Sequence, residues 1–86
     1  MPSVCRFFGI TIFMYYDDHS PPHFHAKYGE YRALFSIETM EILDGTLPRR
    51  ALSLVLEWAV LYRSELRKNW MNARDGLPLQ EIPPLE

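Results

Sequence analysis

Apolar and polar residues alternate through the first half of the chain and shift to spacings of three and four in the second. Met1 to Tyr16 is dense in aromatic and β-branched residues, with Phe7, Phe8, Ile10, Ile12, Phe13, Tyr15 and Tyr16 interrupted only by Gly9. That composition reads as a strand. The segment DDHSPP, Asp17 to Pro22, reads as a turn or loop, because prolines cannot donate to a ladder and Asp and Ser make local side-chain turns. His23 to Tyr28 follows as a strand, Gly29-Glu30 as a two-residue hairpin loop, and Tyr31 to Ile37 as its antiparallel return. Pairing outward from Gly29-Glu30 sets Tyr28 against Tyr31, Ala26 against Ala33 and Phe24 against Phe35, an apolar face. The opposite face then carries Lys27 with Arg32, His25 with Leu34, and His23 with Ser36. A second turn at Glu38-Thr39 would set Ile37 against Met40 and Phe35 against Ile42 on the core face, with Asp44-Gly45 ending the sheet.

Beyond Gly45 the period changes. Leu52, Val55, Ala59, Tyr62, Leu66 and Trp70 form one helical stripe, widened by Leu56 and Trp58, with Thr46 as an N-cap and Pro48 in an early position. Arg74-Asp75-Gly76 with Pro78 supplies a stop. Such a helix runs about 26 residues, roughly 39 Å, more than short strands can cover, so it either breaks near its middle or projects toward a partner. Leu77 to Glu86, with three prolines, reads as an extended tail. The expected fold is α+β: a small antiparallel meander of three to four strands packed by one long C-terminal helix, continuous or broken, and a tail over 77–86. Trp58 and Trp70 read as core or interface, Cys5 as core, and Glu57 as a solvent-side residue or a buried partner of an arginine such as Arg6 or Arg50. The hairpin pairing buries Tyr28 and Tyr31, which leaves Tyr15 and Tyr16 as the tyrosines free to stack on a base.

Length and composition narrow the class. At 86 residues the chain is a single domain over 1–86, and 48% hydrophobic with 23% charged residues suits a folded protein rather than a disordered one. One cysteine excludes an internal disulfide and a four-thiolate zinc site, which fits a reducing cytoplasm. No run of about 18 apolar residues or signal-peptide pattern is present, so no membrane is expected. The net charge of −2 is unevenly spread. Residues 46–74 hold six basic against two acidic residues, +4, and the remainder three basic against nine acidic, −6. A basic helix suits an anionic partner, nucleic acid or an acidic protein, unless it is simply a solvated face. No phosphate-cradling glycine loop, dinucleotide fingerprint or serine triad appears.

The chemistry concentrates in the histidines, since His19, His23 and His25 all fall within seven residues. His23 and His25, two apart on a strand, project from the same face, and His19 in the preceding loop is free to fold over it. Three imidazoles, or two of them with a carboxylate from Asp18 or Asp17, make a ligand set for zinc or another divalent first-row metal with a position left open for water, and a carboxylate that does not ligate can hydrogen-bond an imidazole and fix its tautomer. The same residues also suit metal-free phosphodiester chemistry. His23 and His25 would then act as general base and acid assisted by His19, while Lys27 and Arg32, with Arg6 as a further candidate, hold the phosphate. In the plainest alternative His19 caps a turn and the other two are ordinary surface residues.

Arg6 to Ile10, the segment DHSPPHFH from Asp18 to His25, the Tyr28-Gly29-Glu30 turn, and LPRRALSLVLEW from Leu47 to Trp58 together resemble an uncharacterised bacterial family catalogued as a domain of unknown function. The resemblance covers nearly the whole chain and rests on Asp18, His19, Pro21, Pro22, His23, Phe24 and His25. Family members are often encoded beside another small protein, and the pair is regarded as a candidate type II toxin and antitoxin, with this family as the toxin. The resemblance implies no established catalytic residues. It does imply a toxin partnered by a small antitoxin-like protein encoded nearby, and joined to the histidine-bearing face it gives the first reading, a toxin acting on nucleic acid, RNA first, as a homodimer or hetero-complex. The alternatives are a non-enzymatic protein-binding module, favoured by Leu34 and Leu43 beside His25, and a metal-dependent hydrolase.

Overall fold

The computed structural model describes residues 2–16 and 18–86. Met1 and Asp17, the latter one of the two carboxylates considered beside the histidines, lie outside the described residues. Five strands, β1 (Ser3–Phe7), β2 (Ile10–Phe13), β3 (His23–Tyr28), β4 (Tyr31–Ser36) and β5 (Ile42–Thr46), form an antiparallel meander in sequence order. Two helices follow, α1 (Arg49–Leu61) and α2 (Arg63–Arg74). The α+β class and meander agree with the sequence. The strand count does not, and the long C-terminal helix takes the broken form, as two helices.

The first difference is that Met1 to Tyr16 is not one strand. Phe7 pairs with Ile10 across a two-residue turn in which Phe8 (φ 48°) and Gly9 (φ 80°) both take positive φ, the requirement of a tight hairpin turn that matches strand twist. Gly9 is therefore the turn itself rather than an interruption. The β3–β4 hairpin, by contrast, has all six pairs of the expected register, from Tyr28 with Tyr31 to His23 with Ser36.

At the next hairpin the expected two-residue turn opens into a longer loop, closed by the Ser36 N–H on the Glu41 carbonyl and the Met40 N–H on the Ser36 carbonyl, with Met40 at φ 64°. Ile37 therefore does not face Met40. Its N–H bonds the Pro22 carbonyl instead, and the residue is buried. Phe35 does pair Ile42, but the register then shifts so that Leu34 faces Asp44. Ile42 ends up 39% exposed rather than in the core. Asp44 and Gly45 belong to β5 and do not end the sheet. A Cβ on Gly45 would sit 2.2 Å from the Arg32 carbonyl oxygen, so only glycine allows the β4–β5 approach. Tyr28 and Tyr31, expected in the core, are 37% and 44% exposed because they sit at the hairpin tip.

Pro48, not Thr46, precedes the first helical turn. The helical stripe breaks at Tyr62 (φ −115°, ψ 28°). A straight helix of about 39 Å would overrun the molecule's 34 Å longest extent. The break lets both tryptophans serve one core. Trp58 packs on Phe7 and Phe24 beneath the sheet, while Trp70 reaches the start of β3. Phe24, Phe35, Ala26, Ala33, Ile10 and Ile12 supply the inner sheet face against Val55, Trp58, Ala59 and Leu66. The tail closes the core from the other side. Ile82 and Leu85 are buried, the Ile82 N–H bonds the Val4 carbonyl, and the Trp58 indole N–H donates to the Pro83 carbonyl at 2.8 Å. Buried Asn69 clamps the Gln80 backbone through both its amide N–H and its carbonyl. No helix is long and apolar enough among the described residues to cross a membrane.

Candidate functional site

The register fixes what the outer sheet face presents. One transverse row runs Phe13–His25–Leu34–Asp44, and the next runs Arg6–Thr11–Lys27–Arg32–Thr46. The rows are one pleat apart, roughly 6.6 Å along each strand. His25 therefore has Lys27 and Arg32 on its own face, as the β3–β4 pairing requires. A groove of about 340 Å³ lies over the first row, lined by Phe13, His25, Leu34, Arg32 and Asp44.

At the end of this face the chain between β2 and β3 brings Asp18 onto both strand histidines. Asp18 Oδ2 lies 2.8 Å from His23 Nε2 and 3.3 Å from His25 Nε2. Two further polar atoms are met by backbone: the His19 N–H donates to Asp18 Oδ1 at 3.1 Å, and His23 Nδ1 lies 2.7 Å from the Pro21 carbonyl oxygen. The Ser20–Pro21 peptide within this loop is cis. Aromatic rings set the orientation of both imidazoles. His25 stacks on Phe13 at 5.0 Å and 12° and meets the edge of Tyr15 at 4.8 Å, and His23 packs on Trp70 at 5.0 Å. His23 is buried, while Asp18 and His25 keep 22% and 21% of their side chains exposed.

These surroundings act on the charges. Burial pushes the Asp18 carboxyl up, but hydrogen bonds to His25 and His23 and from the His19 backbone outweigh it and hold the carboxyl below its ordinary value. Burial pushes the His25 imidazole below its ordinary value against the pull of the Asp18 hydrogen bond, with His23 and Arg32 adding like charge.

Asp18, His23 and His25 each offer one ligand atom within 4.8 Å of the others. His19 contributes its backbone to this arrangement, while its side chain is exposed and is not among the three. Period-two alternation already puts His23 and His25 on one face, and the Asp18 carboxylate joins them. Phe13, Trp70 and the Pro21 carbonyl were not foreseen. Phe13 would have been found by separating β2 from β1, which pairs it with His25, whereas Trp70 reaches His23 only because the helix breaks.

Comparison with curated proteins and with solved structures finds no match. A family model does match, over residues 9–71, and takes in β2 to most of α2 with Asp18, His23, His25, Lys27 and Arg32. The chain belongs to the family described as domain of unknown function DUF4160.

Proposed function

We propose that the protein is the toxin half of a bacterial two-protein module and acts on RNA through the outer face of its sheet. The observation that carries this reading is the pair of adjacent rows, with a nitrogen- and carboxylate-bearing centre at one end and Arg6, Lys27 and Arg32 one pleat away. Attack on a phosphodiester needs a centre that takes up a proton from the nucleophile and positive charge set against the phosphate oxygens. The Asp18–His23–His25 centre suits the first task, and Lys27 with Arg32 the second. Tyr15, against His25, and its neighbour in sequence Tyr16 are both exposed and give bases a stacking surface.

Induced expression should arrest growth with loss of RNA, and His25→Ala or the Lys27→Gln/Arg32→Gln pair should relieve the arrest while circular dichroism stays native. Equal arrest by folded variants sinks the site assignment, and absence of arrest sinks the toxin reading. The edge of β5, which no strand among the described residues pairs, with exposed Ile42 and Leu43, favours a second reading, a protein-docking module. In that case Leu43→Lys abolishes complex formation with the protein encoded beside it, and an intact complex rules the edge out.

A further inference from the structure

We propose that Asp18, His23 and His25 hold one divalent first-row transition ion of the zinc class, through Asp18 Oδ2 and the two Nε2 atoms. This deepens the reading of the same centre, but its evidence is independent of any nucleic acid.

The Pro21 carbonyl can only accept, so the proton of a neutral His23 sits on Nδ1. Nε2 then turns a lone pair toward a carboxylate oxygen 2.8 Å away. Two lone pairs at that distance repel unless a cation lies between them. Without an ion, the oxygen is satisfied only by a doubly protonated His23 beside a His25 that also donates from Nε2, a second donor 3.3 Å away. A single ion satisfies all three.

The rest of the site is arranged as ligand support. A backbone carbonyl on the far nitrogen of a histidine fixes the tautomer that leaves Nε2 free for metal. Here the Pro21 carbonyl does so for His23, and the His19 N–H occupies Asp18 Oδ1 and leaves Oδ2 for the ion. Phe13, Tyr15 and Trp70 hold the rings. For metal–ligand distances of about 2.0 to 2.2 Å, tetrahedral ligands stand about 3.3 to 3.6 Å apart, which the Asp18–His25 separation of 3.3 Å meets, while the Asp18–His23 separation of 2.8 Å has to open by about half an ångström. Two imidazoles and one carboxylate select a borderline ion over calcium or magnesium. His25 lines the groove, and the exposed parts of Asp18 and His25 leave coordination positions for water or a phosphate oxygen.

Protein stripped with chelator and titrated with Co²⁺ should bind one equivalent and develop the visible absorption of a low-coordinate site, and Zn²⁺ should displace the Co²⁺. Asp18→Asn and His25→Gln should each weaken Co²⁺ binding at least tenfold, and His19→Ala should leave it unchanged. His25→Gln and Asp18→Asn are partly exposed positions that keep the fold if His23→Gln does not, and circular dichroism reports this. No saturable Co²⁺ binding up to millimolar concentration overturns the proposal, as does binding that survives both variants or is lost with His19→Ala. These titrations contain no RNA, so their failure leaves the RNA reading standing, and failure of growth arrest leaves the metal site standing.

Discussion

Two glycines with positive φ separate backbone strain from close packing at the scale of a single residue. At Gly29 (φ 59°) a Cβ would meet nothing within 4 Å. Gly29→Ala should therefore cost only the left-handed penalty, roughly 1–2 kcal/mol. Gly45 (φ 79°) adds a contact of 2.2 Å with the Arg32 carbonyl oxygen and 3.0 Å with Ala33 Cα. Neither atom can swing away as a side chain would, so Gly45→Ala should cost several kcal/mol and loosen β5 first. Urea denaturation should rank the two, with hydrogen exchange in the Gly45 variant fastest over Ile42–Thr46. Equal midpoints would mean that the β4–β5 approach is not tight. The Glu38–Arg67 pair, which ties the 36–41 loop to α2, makes a different residue-scale prediction. Its hydrogen bond from Arg67 holds the Glu38 carboxyl below its ordinary value of 4.5. A depressed carboxyl contributes stability above its ordinary value and loses it as pH falls through the folded value. Glu38→Gln should therefore narrow its gap from the parent as pH drops below about 4.5. Both partners are about half exposed, so the gap should also shrink with salt.

Among the elements, the tail is the least regular and one of the more consequential. Its two buried side chains, Ile82 and Leu85, stabilise by about 1.5–3 kcal/mol each. Truncation after Gln80 should thus cost about 3–6 kcal/mol, a large share of the 5–15 typical of a domain. It should also shift tryptophan emission to the red as the Trp58 indole loses Pro83. An unchanged midpoint and spectrum would show that the tail does not pack. How legible each element was follows from its local chemistry. The β3–β4 hairpin was readable to the last pair because Gly29-Glu30 sits between two segments whose alternation agrees in only one register. The β1–β2 turn was hidden because Phe8, unlike asparagine or aspartate, gives no sign of adopting positive φ. The helix break carries no proline or glycine at Tyr62, so only the size of the molecule argued for it. At the site, strand period two put His23 and His25 together. Burial of His23 under Trp70 depends on tertiary packing that no local pattern encodes.

At the scale of the whole molecule, the −2 net charge conceals two separate basic surfaces on opposite sides of the sheet. Arg6, Lys27 and Arg32 share one row of the outer face. Arg49, Arg50 and Lys68 are exposed on the helices that cover the inner face. A single strand of RNA short enough to lie on one side meets only one of them, so salt dependence can tell which one holds it. Each phosphate neutralised on a single strand contributes about 0.7 to the slope of log K against log salt. Lys27→Gln and Arg32→Gln should each weaken binding of single-stranded RNA and flatten that slope by about 0.7. Arg49→Gln and Lys68→Gln should leave both affinity and slope as they were. The four variants remove the same charge, so a non-specific loss of attraction would affect them alike. The outer-face reading requires the difference between the two pairs. If the helix variants weaken binding and the sheet variants do not, the RNA lies on the helices, away from Asp18, His23 and His25, and the outer face is not where it is acted on.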